Sequence, residues 1–303
     1  MSTELDLDLD FQAAGDRPEQ VSPLVRRVVA GNASPYTFTG TCSYIVGRGQ
    51  VAIIDPGPDR PEHVQALLEA VAGETVTHIV VSHTHIDHSP ASRALQAATG
   101  APLVGCGPHR ASRPLAAGEA NTMEGSGDLD YRPDRLMAEG DAVAGPGWTL
   151  HALSTPGHTA NHLAFALPEE RALFTADHVM AWSTTIVGPP DGSMRDFMAS
   201  LEKLRGRDEV VYWPGHGGPV REPERFVRAL IHHRRQREAS ILNRIKVGDR
   251  AIPAIVAAIY PGLAPALRGA AGLSVFAHLE DLVGRDLVAT DGPPQVGGVY
   301  RPR

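Results

Sequence analysis

Short apolar runs alternate with stretches of helical periodicity through the first two-thirds of the chain. Strands are expected over 44–46, 51–55, 76–82, 148–154, 163–167, 172–175 and 209–213. Each run is a few residues long and bounded by turn-forming Gly, Pro, Asp or Ser. Helices are expected over 61–72, 90–98 and 196–204, where apolar positions recur at three- and four-residue intervals. The pattern predicts a mixed α/β chain. Residues 110–147, rich in Gly, Asp, Arg and Pro, show neither period and are expected to form a long surface insertion with little structure. Beyond 220 the character changes to a charged helix over 225–244 and helical segments over 252–259 and 263–284. An apolar run at 287–290, an Asp291-Gly292-Pro293-Pro294 turn and a second run at 298–300 then read as a hairpin.

Candidate chemistry begins where the apolar run 76–81 ends. Ser82-His83-Thr84-His85-Ile86-Asp87-His88 places three imidazoles and a carboxylate within six residues. Such a cluster is costly in a core unless something satisfies the ring nitrogens, and a metal satisfies them together. In an extended segment residues i and i+2 project the same way. His83 and His85 are therefore able to converge on one ion, while Asp87 and His88 face a second.

A closed site needs further ligands from elsewhere. Three candidates share one local setting, a polar residue just past an apolar run. His158 lies in Ser154-Thr155-Pro156-Gly157-His158-Thr159, Asp177 follows Ala172-Leu173-Phe174-Thr175-Ala176, and His216 lies in Trp213-Pro214-Gly215-His216-Gly217. Alone, each reads more readily as a lone turn residue; their shared register at strand ends is what points to a common site. The Pro-Gly pairs make tight turns that let the backbone approach an ion closely.

The order HTHIDH, TPGHT, TADH, WPGHG resembles the metallo-β-lactamase-fold hydrolase superfamily in its dinuclear form. Upstream, Gly40-Thr41-Cys42-Ser43-Tyr44-Ile45-Val46-Gly47 and Ile53-Ile54-Asp55-Pro56-Gly57-Pro58 are similar to the first hairpin of the lactamase-beta-2-like branch. Cys42 stands where relatives often carry Asn, and Ala176 where Gly is usual. The resemblance implies a four-layer αβ/βα sandwich over residues 1–220 and a C-terminal winged-helix-like domain over 221–303. It assigns His83, His85 and His158 to one metal and Asp87, His88 and His216 to the other, with Asp177 bridging. Two zinc ions per chain suit imidazole and carboxylate without thiolate, and Fe or Mn is tolerated by the same donors.

The function expected from this set is a metal-dependent hydrolase using a metal-bound hydroxide, with Asp87 both ligand and catalytic acceptor for the nucleophile's hydrogen bond. Asp55 is expected to orient a ligand imidazole, or simply to form the turn before Pro56-Gly57. His162 is expected to line the site or supply a proton to the leaving group, or to be a strand residue with a local hydrogen bond. Substrate contacts are expected from Met180-Ala181-Trp182-Ser183-Thr184-Thr185, which contains no Lys or Arg. A small ester-type substrate, thioester or lactone, follows from that neutrality and from the similarity of HTHIDH to glyoxalase-II-type enzymes. The alternatives are an endoribonuclease-type phosphodiester hydrolase acting on single-stranded RNA, a mononuclear-iron dioxygenase, and a regulatory nucleic-acid-binding protein.

Composition narrows this only slightly. The chain has 303 residues, 42% hydrophobic and 5% aromatic, with a formal net charge of −7 that opposes long-range attraction to phosphate. Bases gather over 225–246, whereas the segment 263–284 carries Arg268, Glu280 and Asp281. That module is expected to cap the active-site groove or mediate self-association as a homo-oligomer rather than to read DNA. No apolar stretch is long enough to span a bilayer. The Leu-Asp alternation of 1–10 lacks the features of a signal peptide, and two cysteines, Cys42 and Cys106, fit a reducing compartment. A cytoplasmic setting is expected.

Overall fold

The computed structural model describes residues 5–121 and 123–303; the first four residues of the 1–10 stretch and position 122 in the insertion lie outside the described residues. The first half holds β1 (Glu19–Gln20), β2 (Val25–Val29), β3 (Cys42–Arg48), β4 (Gln50–Ile54), α1 (Pro61–Ala70), β5 (Thr75–Val81), α2 (Ser92–Thr99) and β6 (Leu103–Gly105). Then come β7 (Arg135–Leu136), which returns to the first sheet, and β8 (Ala142–Gly145), β9 (Trp148–Ser154), β10 (Leu163–Leu167), β11 (Ala172–Ala176), α3 (Met194–Leu204) and β12 (Val211–Pro214). The C-terminal part comprises α4 (Pro223–Lys246), α5 (Ile252–Ile259), α6 (Arg268–Gly284), β13 (Val288–Thr290) and β14 (Tyr300–Pro302).

One sheet runs β1-β2-β3-β4-β5-β6-β7 and the other β12-β11-β10-β9-β8. The strand β10 shows why two sheets and flanking helices result. Leu163, Phe165 and Leu167 enter the core shared with Ile45, Ile53 and Val80 of the first sheet. Ala164 and Ala166, on the alternate face, pack with Phe197 and Leu201 of α3 and Val227 and Leu230 of α4. The period of two thus places large residues between the sheets and small ones where helices approach. The four-layer arrangement expected from the resemblance is present.

The expected helices appear with shifted ends. The helix expected over 196–204 starts at Met194, because Ser193 caps it by accepting the Asp196 N–H at 3.3 Å. Gly100, at φ 70°, closes α2 in the left-handed conformation. The expectation of little structure over 110–147 is corrected. The segment adds β7 to the first sheet and β8 to the second, and it buries Asp128 and Tyr131. Asp128 accepts from Ser89 Oγ at 2.8 Å and Arg93 Nη1 at 3.0 Å. Strands of two and four residues are too short to show alternation, so the pattern hid them. The strands β1 and β2 were also unforeseen: Arg26 and Arg27 interrupt the apolar run, and Arg27 is buried against Glu19 and the Phe11 ring.

The C-terminal hairpin pairs β13 with β14, and α4, α5 and α6 enclose a separate core around Ile245, Ile255, Phe276 and Tyr300. The 24-residue α4 runs without a break through both regions: Val227, Leu230 and Ile231 join the core beneath the second sheet, and Ile241 and Ile245 the terminal one. The terminal part is bound to the sandwich by a helix rather than a linker. Both cysteines are buried and unpaired, and no helix among the described residues is long and apolar enough to cross a membrane.

Candidate metal centre

All seven candidates stand beyond the C-terminal ends of strands. His83, His85, Asp87 and His88 follow β5, His158 follows β9, Asp177 follows β11 and His216 follows β12. Strand ends gather at one rim of the sandwich, where backbone hydrogen bonding runs out and side chains turn inward. The rim is stitched across the sheets by the Cys42 N–H donating to Gly215 O at 2.7 Å and by a bridge between Thr41 and His216.

Ligand atoms of His83, His85, His158 and Asp177 lie within 4.8 Å of one another, and so do those of Asp87, His88 and His216. In the first group His83 Nε2 and His158 Nε2 stand 3.2 and 2.9 Å from His85 Nδ1. In the second, His88 Nε2 and His216 Nε2 are 3.3 Å apart, and Asp87 Oδ2 is 3.2 Å from the latter. Asp177 reaches both: Oδ1 lies 3.3 Å from His88 and His216, and Oδ2 3.5 Å from His158. Gly215 makes this approach possible, since a Cβ there would stand 2.5 Å from Asp177 Oδ1 and 2.7 Å from His88 Cε1.

Four of the five far ring nitrogens are held by the protein. His88 Nδ1 donates to Asp55 Oδ2 at 3.0 Å, His158 Nδ1 to Ile186 O at 2.7 Å and His216 Nδ1 to Gly40 O at 3.2 Å. His83 Nδ1 meets Ser82 Oγ at 2.9 Å, and that hydroxyl donates to Asp55 Oδ2 at 2.7 Å. Each such bond leaves the other nitrogen facing its neighbours, where its lone pair can ligate a metal once the ring is neutral. His85 Nε2 is buried without a partner, and Asp177 Oδ1, also buried, accepts no hydrogen bond. Converging lone pairs and an unsatisfied carboxylate oxygen are expensive without an ion, so the donor set fits divalent metal at two adjoining positions.

Electrostatics divide the cluster. Burial and neighbouring imidazoles push His83 well below its ordinary value and His85 down to about 3, so these rings are neutral and ready to ligate. Burial also opposes charge on His88 and His216, but the Asp87 and Asp177 carboxylates overrule it, raising His88 strongly and His216 to about 9. Burial raises the two carboxylates in turn, and the same two imidazoles override that and hold both below the usual range.

His162 does not open to solvent. Its Nδ1 meets Thr155 Oγ1 at 2.8 Å, and its ring lies behind His83 at 5.0 Å between centroids. Behind it stands His178, which the sequence reading passed over, fully buried with both nitrogens unpartnered and pushed down to about 3 by burial and nearby cations. The role of Ser82 was missed, and Thr185, expected among the substrate contacts with Met180 and Ala181, is buried like them instead. Thr185 Oγ1 donates to Asp177 O at 2.6 Å, and Arg234 of α4 donates to Thr185 O. A hydroxyl bonded to a backbone carbonyl leaves no trace in a sequence pattern. Cys42 packs against Gly217 O, and Ala176 adopts φ 43°, the conformation usually left to Gly. Beside Gly217, the residue after His216, Trp182 stacks on Phe38 at 4.9 Å and 8°. It sits 2.9 Å from where a Gly217 Cβ would be, and Ile86 is half exposed nearby in sequence. A cavity of about 640 Å³ between Arg113, α3 and α6 contains none of the seven candidates.

The family model described as "Metallo-beta-lactamase superfamily" matches residues 35–216, and one described as "Beta-lactamase associated winged helix domain" matches 251–293. A beta-lactamase-like protein 2 homolog of Caenorhabditis elegans is 32% identical over 75% of this chain and 73% of its own. An atrochrysone carboxyl ACP thioesterase of Aspergillus fumigatus is 30% identical over 75% and 67%. Among solved structures, a metallo-beta-lactamase family protein of Thermus thermophilus aligns with TM-score 0.73 at 24% identity, covering 93% of this chain and 100% of that one. A beta-lactamase domain protein of Burkholderia ambifaria aligns with TM-score 0.79 at 19% identity, covering 99% and 97%.

Proposed function

The chain belongs to the metallo-beta-lactamase superfamily, and on that premise we propose that it is a dinuclear, zinc-dependent hydrolase of thioesters. The observation that carries the reading is the convergence of the His83, His85, His158 and Asp87, His88, His216 groups on Asp177, one carboxylate oxygen towards each. When bound, two divalent ions lower the pKa of water and polarise the scissile carbonyl. Within that frame Asp87, the most exposed carboxylate of the set, stays ionised and accepts a hydrogen bond on the substrate side. Asp55 holds the imidazoles of both groups in one tautomer. Hydrolysis exchanges the acyl C–S bond for C–O and releases an acid and a thiol.

The thioester class is supported by relatives named as thioesterases and by the apolar, uncharged Phe38–Trp182 rim. RNA cleavage has less support. On α4, Arg225, Arg228, Arg235 and Arg244 are matched by Glu222, Glu224, Glu202 and Asp249. The helix α6 buries Ser274 to Leu279 instead of presenting a free recognition face.

The test is elemental analysis followed by a panel of thioesters, lactones and phosphodiesters at rising salt. Thioester turnover changing only modestly with salt is expected. Cleavage of single-stranded RNA that falls steeply with salt, lost together with metal in His83→Ala, would overturn the reading.

A further inference from the structure

Six arginines lie on α4. Arg225, Arg228, Arg235 and Arg244 each hold a carboxylate and point outward or along the surface. Arg234 and Arg237, the two turned towards the protein, hold none among the described residues, and the Nε of each is buried without a partner. Arg234 is 4% exposed, its guanidinium 5.0 Å from the Phe197 centroid; Arg237 lies 4.6 Å over Tyr260. Behind them His278 of α6 is buried with neither ring nitrogen bonded. The buried Arg234 and the part-exposed Arg237 thus set two neighbouring guanidiniums together without a counter-charge among the described residues, an arrangement an anion would satisfy.

Arg234 is tied to the loop that follows Asp177. Arg234 donates to Thr185 O, three residues beyond Trp182, which stacks on Phe38. Two residues before Phe38, the Tyr36 hydroxyl reaches Ala266 O at 3.4 Å. Ala266 lies in the α5–α6 connection that begins at Tyr260, under Arg237. Contacts thus link the loop after Asp177, α4 and the α5–α6 connection to one another. Tyr260 and Phe197 supply flat faces that orient the guanidiniums.

Resting on the thioesterase reading, we propose that Arg237, backed by Arg234, binds the phosphate of a phosphopantetheine-type thiol arm whose acyl end lies at the metal centre. Arg237, part-exposed, contacts the phosphate. Arg234, spent on Thr185, keeps the site positive and ties α4 to the Asp177 loop. The appended helices are in this way a binding element for the leaving thiol.

Calorimetry with metal-loaded protein tests binding without turnover, using 4′-phosphopantetheine and pantetheine as probes. The phosphorylated probe is expected to bind roughly 10- to 100-fold tighter, as for a hydrogen bond to a charged group. Arg237→Ala should erase that ratio, Arg237→Lys restore part of it, and Arg235→Ala, on the outer face, leave it intact. Equal binding of the two probes, or a ratio untouched by Arg237→Ala, overturns the proposal. If the ratio holds but no thioester is hydrolysed, the thioesterase reading alone fails. A coenzyme A thioester and the same acyl group on a carrier protein separate the two sources of the arm. A loss of kcat/KM in Arg237→Ala with either supports the site and names the source, and no loss with both overturns it.

Discussion

Asp55→Asn isolates the support behind both halves of the metal centre. Asp55 is 2% exposed and sits at φ 48°, a conformation Asn tolerates well, so the backbone is not at issue. Its Oδ1 accepts the Ser82 N–H at 2.7 Å; Oδ2 accepts the Ser82 hydroxyl at 2.7 Å and His88 Nδ1 at 3.0 Å. Ser82 passes the same support to His83, so one carboxylate fixes a ring in each group. An amide has one acceptor oxygen. With that oxygen on the Ser82 N–H, its NH₂ faces two further donors. A hydrogen bond to a charged group contributes about 1.5–3 kcal/mol, and removing a partner behind a ligand imidazole typically lowers metal affinity about 10- to 100-fold. These two figures agree, since each tenfold is about 1.4 kcal/mol. Chelator competition with Zn²⁺ on the metal-free protein should therefore show both affinities reduced in Asp55→Asn. Ser82→Ala should reduce chiefly the group containing His83. Affinities of Asp55→Asn within about twofold of the parent would refute the reasoning, and a loss confined to one site would reduce Asp55 to the support of His88 alone.

Gly215→Ala should abolish metal uptake more completely than its size suggests, because the added methyl would stand 2.5 Å from Asp177 Oδ1; elemental analysis showing full metal content would disprove the cradle. Asp177→Asn should deplete both metals, whereas His216→Ala should deplete one preferentially, since of the seven candidate ligands it is Asp177 that reaches both groups. One firmly held iron unchanged in His216→Ala would favour a mononuclear centre instead. His278 is pushed down to about 3 by burial and by Arg234 and Arg237. Being depressed in the fold, it contributes stability that is complete above the unfolded value near 6.5 and is lost as pH falls towards 3, at about 1.4 kcal/mol per pH unit. Urea titrations between pH 7 and 4 should show a shallower decline for His278→Leu than for the parent; parallel declines would contradict this.

Much of the centre was legible because its determinants are local. An apolar run followed by His83, His85, Asp87 and His88 states both a strand and what lies at its end, and the Pro-Gly turns before His158 and His216 mark further strand ends in the same way. The grouping of those residues into two sets sharing Asp177 came from a family resemblance, and the tertiary structure supplies the distances. Other features could not be read along the chain. The strands β7 and β8 are too short to show a period, and Asp128 is buried only because Ser89 and Arg93 meet it from another element. The Arg234–Thr185 bond joins residues 49 apart in sequence through a backbone carbonyl. From composition, the bases of α4 read as one solvated charged face. Folding decided which of them pair with carboxylates and which turn inward without one, because that depends on what the opposing surface offers and not on the helix itself.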